Sequence, residues 1–123
     1  MAFSELSKGF GDREMSLMHD SAITAADFLK ALAHEGRLMI LCHLASGEKS
    51  VTELEELLKY RQAAVSQQLA RLRLEGMVTY RRDGKVIYYA LNGEKAGRVL
   101  TLIYDMFCDP PDGQDIQTDN RRA

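Results

Sequence analysis

Between Ser21 and Leu32 the apolar side chains Ile23, Ala26, Phe28, Leu29 and Leu32 recur at helical spacing, predicting a first helix with one buried face. His34 to Leu44 is apolar on nearly every side through Leu38, Met39, Ile40, Leu41, Cys42 and Leu44, the pattern of a helix enclosed in a core or an interface. Ser46 and Gly47 interrupt it. Ser50-Val51-Thr52-Glu53 then supplies a hydroxyl to cap a third helix and a glutamate three residues on to return the bond. That helix reaches about Leu58, and Tyr60, Arg61 and Gln62 form the turn into a fourth, running through Glu75. Val65, Leu69, Leu72 and Leu74 alternate there with polar residues, and Gly76 ends the helix. Two helices joined by a short turn, the second polar on its outer face, make a helix-turn-helix candidate.

After Gly76 the period changes from helical to alternating, in Met77-Val78-Thr79-Tyr80-Arg81-Arg82 and again in Lys85-Val86-Ile87-Tyr88-Tyr89-Ala90-Leu91. Asp83-Gly84 between these runs predicts a hairpin whose central pair forms a type I′ turn. Gly93 and Glu94 open a last helix through roughly Cys108, with Val99, Leu102, Ile103, Met106 and Phe107 as its apolar stripe, and Pro110-Pro111 stops it. Residues 109–123 are acidic and aperiodic, so a disordered tail is expected there, and a flexible segment is expected over 1–19. The fold class expected for 20–108 is mainly α (α+β): a winged helix-turn-helix of five helices with one β-hairpin wing.

A chain of 123 residues, 46% apolar and 28% charged, fits one globular domain. Apolar runs such as Leu38 to Cys42 are far short of a membrane span, and the N-terminal stretch lacks the apolar block of an export signal, so a cytoplasmic protein is expected. The net charge of -2 hides an asymmetry. Residues 59–98 carry nine basic and three acidic side chains, whereas 1–58 carry five and ten. A local positive block is what a phosphate-binding face needs, because affinity for a duplex comes from phosphates neutralised at the contact. A domain serving only protein contacts would leave this block unexplained. No Gly-rich phosphate loop, nucleophile elbow or zinc triad is present, which argues against an enzyme.

Two stretches resemble the ArsR family of winged-helix repressors. Lys30-Ala31-Leu32-Ala33-His34-Glu35-Gly36-Arg37-Leu38-Met39-Ile40-Leu41 is similar to that family's A-L-A-x-x-x-R-L-x-I-L segment. Gln62 to Val78 is similar to its Q-x-x-V-S-x-x-L-x-x-L-x-x-x-G-L-V recognition helix. The resemblance covers roughly residues 20–108. It implies a homodimer, packed through the first and last helices, that binds double-stranded operator DNA.

In such docking the N-terminal end of the second helix enters the major groove. Gln62, Ala63, Ser66, Gln67 and Gln68 lie there; glutamine pairs bidentately with adenine and serine bonds bases or phosphates, and Gln62, Ala63, Ser66 and Gln67 are the candidate DNA contacts. A solvated polar face would have the same composition, and the helix-turn-helix context favours reading. Arg71 and Arg73 diverge by about 200° around a helix, so at most one faces phosphate; Arg71 is the candidate. Arg81, Arg82 and Lys85 crowd the wing and are candidate phosphate or minor-groove contacts, with surface solubility as the plainer reading.

The family's metal-sensing members use a Cys-x-Cys set on the third helix or an Asp-x-His plus His set on the last. Val51 to Tyr60 contains no Cys or His, Glu94 to Asp109 contains no His, and His19, His34 and His43 have no ligand spacing. No metal or cofactor is therefore expected, although a cross-protomer site built from Asp or His stays open. Cys42 and Cys108 lie 66 positions apart. Read as residues, they are equally compatible with inert core thiols and with a redox pair. Their placement resembles the BigR/SqrR subgroup of sulfide- and persulfide-responsive repressors. That resemblance implies a disulfide or polysulfide bridge, formed in response to reactive sulfur species, that releases the operator. The same pair occurs in HlyU-like regulators, so a general oxidant-responsive or metal-responsive regulator is the alternative.

Overall fold

The computed structural model describes residues 9–108. Five helices and three short strands follow in the order α1 (Asp12–Leu32), α2 (Glu35–Leu44), β1 (Lys49–Ser50), α3 (Val51–Leu58), α4 (Gln62–Leu74), β2 (Val78–Asp83), β3 (Val86–Leu91) and α5 (Lys95–Phe107). The tail expected over 109–123 and the Pro110-Pro111 stop lie outside the described residues.

α1 starts well before Ser21, so residues 12–19 are helical and not part of a separate N-terminal segment. The Glu14 carboxylate accepts from the Gly11 amide at 3.0 Å, and Asp12 and Glu14 sit where the helix dipole favours anions. The polar His19-Asp20-Ser21 stretch resembles a helix start, yet nothing in it breaks an established helix. Of the whole helix only Ala31 and Leu32 are buried.

His34 caps α2: its Nδ1 accepts from the amides of Gly36 at 3.0 Å and Arg37 at 3.4 Å. A neutral imidazole has one N–H, so Nε2 carries it. Ser50 and Glu53 form the expected capping box on α3, with Glu53 N to Ser50 Oγ at 3.1 Å and Ser50 N to Glu53 Oε1 at 2.8 Å. Lys59 ends α3 in the left-handed region at φ 62°. Ile40, Leu41, Leu54, Val65, Leu69 and Leu72 are fully buried, so the core lies where α2, α3 and α4 converge. Arg37 closes the α1 end of this core. Its guanidinium donates to the Ala31 and Lys30 carbonyls in the last turn of α1, where intrahelical donors run out, and to Gln68 Oε1 of α4 at 3.0 Å.

The antiparallel sheet has the strand order β1-β3-β2. The wing therefore gains a third strand absent from the sequence reading: Lys49 pairs with Tyr89 and Ser50 with Tyr88. The turn is also displaced by one residue. Asp83 pairs with Val86, leaving Gly84 and Lys85 as the central pair. Gly84 has φ +64°, while Lys59 is the one non-glycine with positive φ among the described residues. A positive φ at the first central position alone is the pattern of a type II′ turn, which favours Gly there, and not of the expected type I′.

α5 packs onto the body through Ala96 and Leu100. Leu102, Tyr104, Met106 and Phe107 remain exposed, as do Met15, Leu17, Met18, Ile23 and Leu29 of α1.

Candidate nucleic-acid interface and thiol pair

The buried Val65, Leu69 and Leu72 fix the rotation of α4 about its axis. Gln62, Ala63, Ser66 and Gln67 consequently stand on its exposed side near its N-terminus. Gln68 does not join them. It is half-buried, accepts from Arg37, and places its amide nitrogen 3.4 Å from His34 Nε2. With the imidazole proton on Nε2, that last contact brings two donors together and is not a hydrogen bond in this amide orientation.

The two arginines of α4 occupy opposite flanks. Arg73 stacks on Tyr80 of the wing, 4.2 Å from the ring centroid. Arg71 lies 4.0 Å from Glu75 and near enough to Arg37 for its charge to help burial lower the Arg37 pKa. Arg61, just before α4, is exposed and without an ion pair among the described residues, a cation that the sequence reading placed in the turn and did not count.

On the wing the three candidate cations separate. Arg81 and Arg82, as successive strand residues, point to opposite faces. Arg82 and Lys85 are exposed and form no ion pair among the described residues. Arg81 is held by Glu48, with Nε 3.0 Å from Oε2 and 3.2 Å from Oε1 and with Nη2 also bonded to Oε1. Its guanidinium lies 4.6 Å over the Tyr88 ring. The bond to Arg81 holds the Glu48 carboxyl below the usual carboxylate range and raises Arg81 in turn.

The thiols lie away from this surface. Cys42 of α2 lines an open groove of about 730 Å³ with Leu91, Gly97, Arg98, Thr101 and Tyr104, between α2, β3 and α5. Cys108 caps the far end of α5, its amide donating to the Tyr104 carbonyl at 2.8 Å. Both are free and reach solvent. Burial raises the Cys42 pKa, and charge on Cys108 raises it further. Among the described residues no group of three or more His, Cys, Asp or Glu side chains could hold a metal ion, and no helix is long and apolar enough to cross a membrane.

A helix-turn-helix with an exposed polar second helix, followed by an antiparallel wing, defines a winged-helix regulator. The chain belongs to the arsR family of bacterial regulatory proteins, whose family model matches residues 34–80. It is 46% identical over 100 residues to the biofilm growth-associated repressor of Agrobacterium fabrum, covering 81% of this chain and 86% of that one. The crystal structure of the transcriptional repressor BigR from Xylella fastidiosa is similar with a TM-score of 0.73 and 41% identity, covering 78% of this chain and 98% of that one. Reduced HlyU from Vibrio cholerae is similar with a TM-score of 0.70 and 37% identity, covering 74% and 96% of the two chains.

Proposed function

We propose that the chain is a dithiol redox-sensing transcriptional repressor. The reduced homodimer binds operator DNA, and bridging of Cys42 and Cys108 by a disulfide or polysulfide releases it in response to persulfides. The observation that carries the sensing half is geometric: Cys42 lines the groove between α2 and α5 with Tyr104, whose carbonyl accepts from the Cys108 amide at the end of α5.

Base reading falls to Gln62, Ala63, Ser66 and Gln67, and phosphate contact to Arg82 and Lys85. The exposed apolar stripes of α1 and α5 are the surfaces through which two copies pair, which sets the two α4 helices at a fixed separation for two half-sites. Oxidation balances without a cofactor. A persulfide RSSH accepts two electrons from the two thiols, giving Cys42–S–S–Cys108, RSH and H₂S; each inserted sulfur consumes one further RSSH and releases one further RSH. The bridge acts by stabilising one arrangement of α2 against α5 over the other, and only its unequal effect on the DNA-binding state changes affinity.

The test is an operator selected from a randomised duplex pool, with intact mass and DNA affinity followed under glutathione persulfide, hydrogen peroxide and zinc. Added sulfur per chain, DNA release, and reversal of both by reductant support the reading. Release by zinc alone, with no change in mass, overturns the thiol assignment and leaves a metal-responsive regulator. Release by peroxide but not by persulfide makes the sensor a general oxidant sensor.

A further inference from the structure

We propose that Glu48 is a wing-positioning residue and that Arg81, bound to it, is a strut of the wing that takes no DNA phosphate. This rests on the reading of the wing as a DNA-contacting element.

Ser50, Tyr88 and Arg81 are successive partners across β1, β3 and β2, so their side chains share one face of the sheet. Glu48 immediately precedes β1, and its carboxylate closes that row by meeting the Arg81 guanidinium edge through Nε and Nη2. The flat face of the same guanidinium rests on Tyr88. A planar cation fixed at one edge by a carboxylate and on one face by a ring is committed in both directions that Arg uses for recognition. A phosphate reaching Arg81 would exchange one anion for another and break a bidentate pair, so this arginine adds little counterion release.

The mechanical consequence follows from chain connectivity. Glu48 lies in the short link from α2 to β1, so the ion pair ties the outer strand of the wing to the helical body. On the opposite face, Tyr80 stacks with Tyr89 at 5.8 Å and takes Arg73 of α4 on its ring. The wing is thereby clasped on both faces, by Glu48–Arg81 and by Arg73–Tyr80, while Arg82 and Lys85 stay available beyond the clasp.

The experiment measures affinity for a fluorescein-labelled mixed-sequence duplex across a salt series, with thermal melting of every variant. Arg82→Gln and Lys85→Gln are expected to lower the slope of log affinity against log salt by about 0.9 per lost phosphate contact. Arg81→Gln is expected to leave the slope unchanged. Arg81→Glu sets two carboxylates face to face and weakens binding at every salt concentration. The charge-swapped pair Glu48→Arg/Arg81→Glu restores the strut and returns affinity to within about threefold of the parent, the size of coupling that a contacting pair supports. The proposal is overturned if Arg81→Gln lowers the slope as Arg82→Gln does, or if the swapped pair binds as weakly as Arg81→Glu alone. If Arg82→Gln and Lys85→Gln also leave the slope unchanged, the wing reading falls. The strut is then decided by melting, and failure of the swap to recover the midpoint lost in Arg81→Glu sinks it.

Discussion

Arg37 Nη1 donates to Gln68 Oε1 at 3.0 Å, joining α2 to α4 by a side-chain pair on the inner flank of the helix that carries the base-reading candidates. The same guanidinium holds the last carbonyls of α1, so three helices meet on one cation. Removing it by Arg37→Met leaves those carbonyls and the Gln68 oxygen without their charged donor. A loss of about 2 kcal/mol in urea denaturation is expected, the usual worth of a hydrogen bond to a charged group. Gln68→Ala removes one neutral partner and should cost about 1 kcal/mol.

Gln67 and Gln68 are chemically identical neighbours with opposite expected phenotypes. Gln67→Ala should cost about 1 to 3 kcal/mol of discrimination at one base position of a selected operator, because it removes a bidentate donor-acceptor pair. Gln68→Ala should leave the ranking of operator variants unchanged. Competition binding against a panel of single-base operator variants measures both, and a changed ranking for Gln68→Ala would place its side chain in the groove.

The inward turn of Gln68 was legible in principle. It stands three residues after the buried Val65 and four before the buried Leu72, on the edge of the core-facing stripe. What local sequence could not supply was its partner, Arg37, thirty-one positions away. The same limit explains Arg81. A run of like charges at a wing tip suggests phosphate contact until the fold brings Glu48 alongside, thirty-three positions earlier. The helices of the core, the capping box on α3 and the hairpin were readable because apolar period and capping chemistry are local. β1 was not, since two residues carry no period, and the turn slipped by one because Asp83-Gly84 and Gly84-Lys85 both place a glycine at a central position and only the strand register chooses between them.

Ser50 is buried, caps α3 and pairs with Tyr88, so it belongs to both the helix-turn-helix and the sheet. Ser50→Ala removes the cap from the Glu53 amide and should destabilise the chain by about 1 kcal/mol, whereas Ser50→Thr, which keeps the acceptor, should recover most of it. Equal losses in the two variants on thermal melting would mean that packing, and not the cap, dominates the site.

The Glu48–Arg81 pair should fail in acid. Glu48 has its pKa depressed chiefly by the bond to Arg81, so the folded state holds the carboxylate ionised where the unfolded chain would protonate it. The pair's contribution is present above the unfolded value and is lost as pH falls through the depressed folded one. The Arg81 Nε–H resonance should therefore shift at a pH below the ordinary glutamate range, and Glu48→Gln should abolish the transition. A transition at the ordinary glutamate position would show that the carboxylate is not held by the guanidinium in solution.

Cys42 bears the opposite sign. Burial first, and Cys108 second, push its thiol above the ordinary cysteine value, so the folded chain retains a proton that the unfolded chain releases at lower pH. This contribution to stability is complete below the unfolded pKa and declines as pH rises through the folded one. Iodoacetamide should alkylate Cys42 slowly at neutral pH, with a rate midpoint displaced upward, as followed by peptide mass mapping. Cys108→Ser should move that midpoint down without restoring the ordinary value, because burial remains. If Cys108→Ser leaves the midpoint where it was, the thiols do not influence one another in solution, and the sensing role proposed for the pair falls while the DNA-binding surface stands.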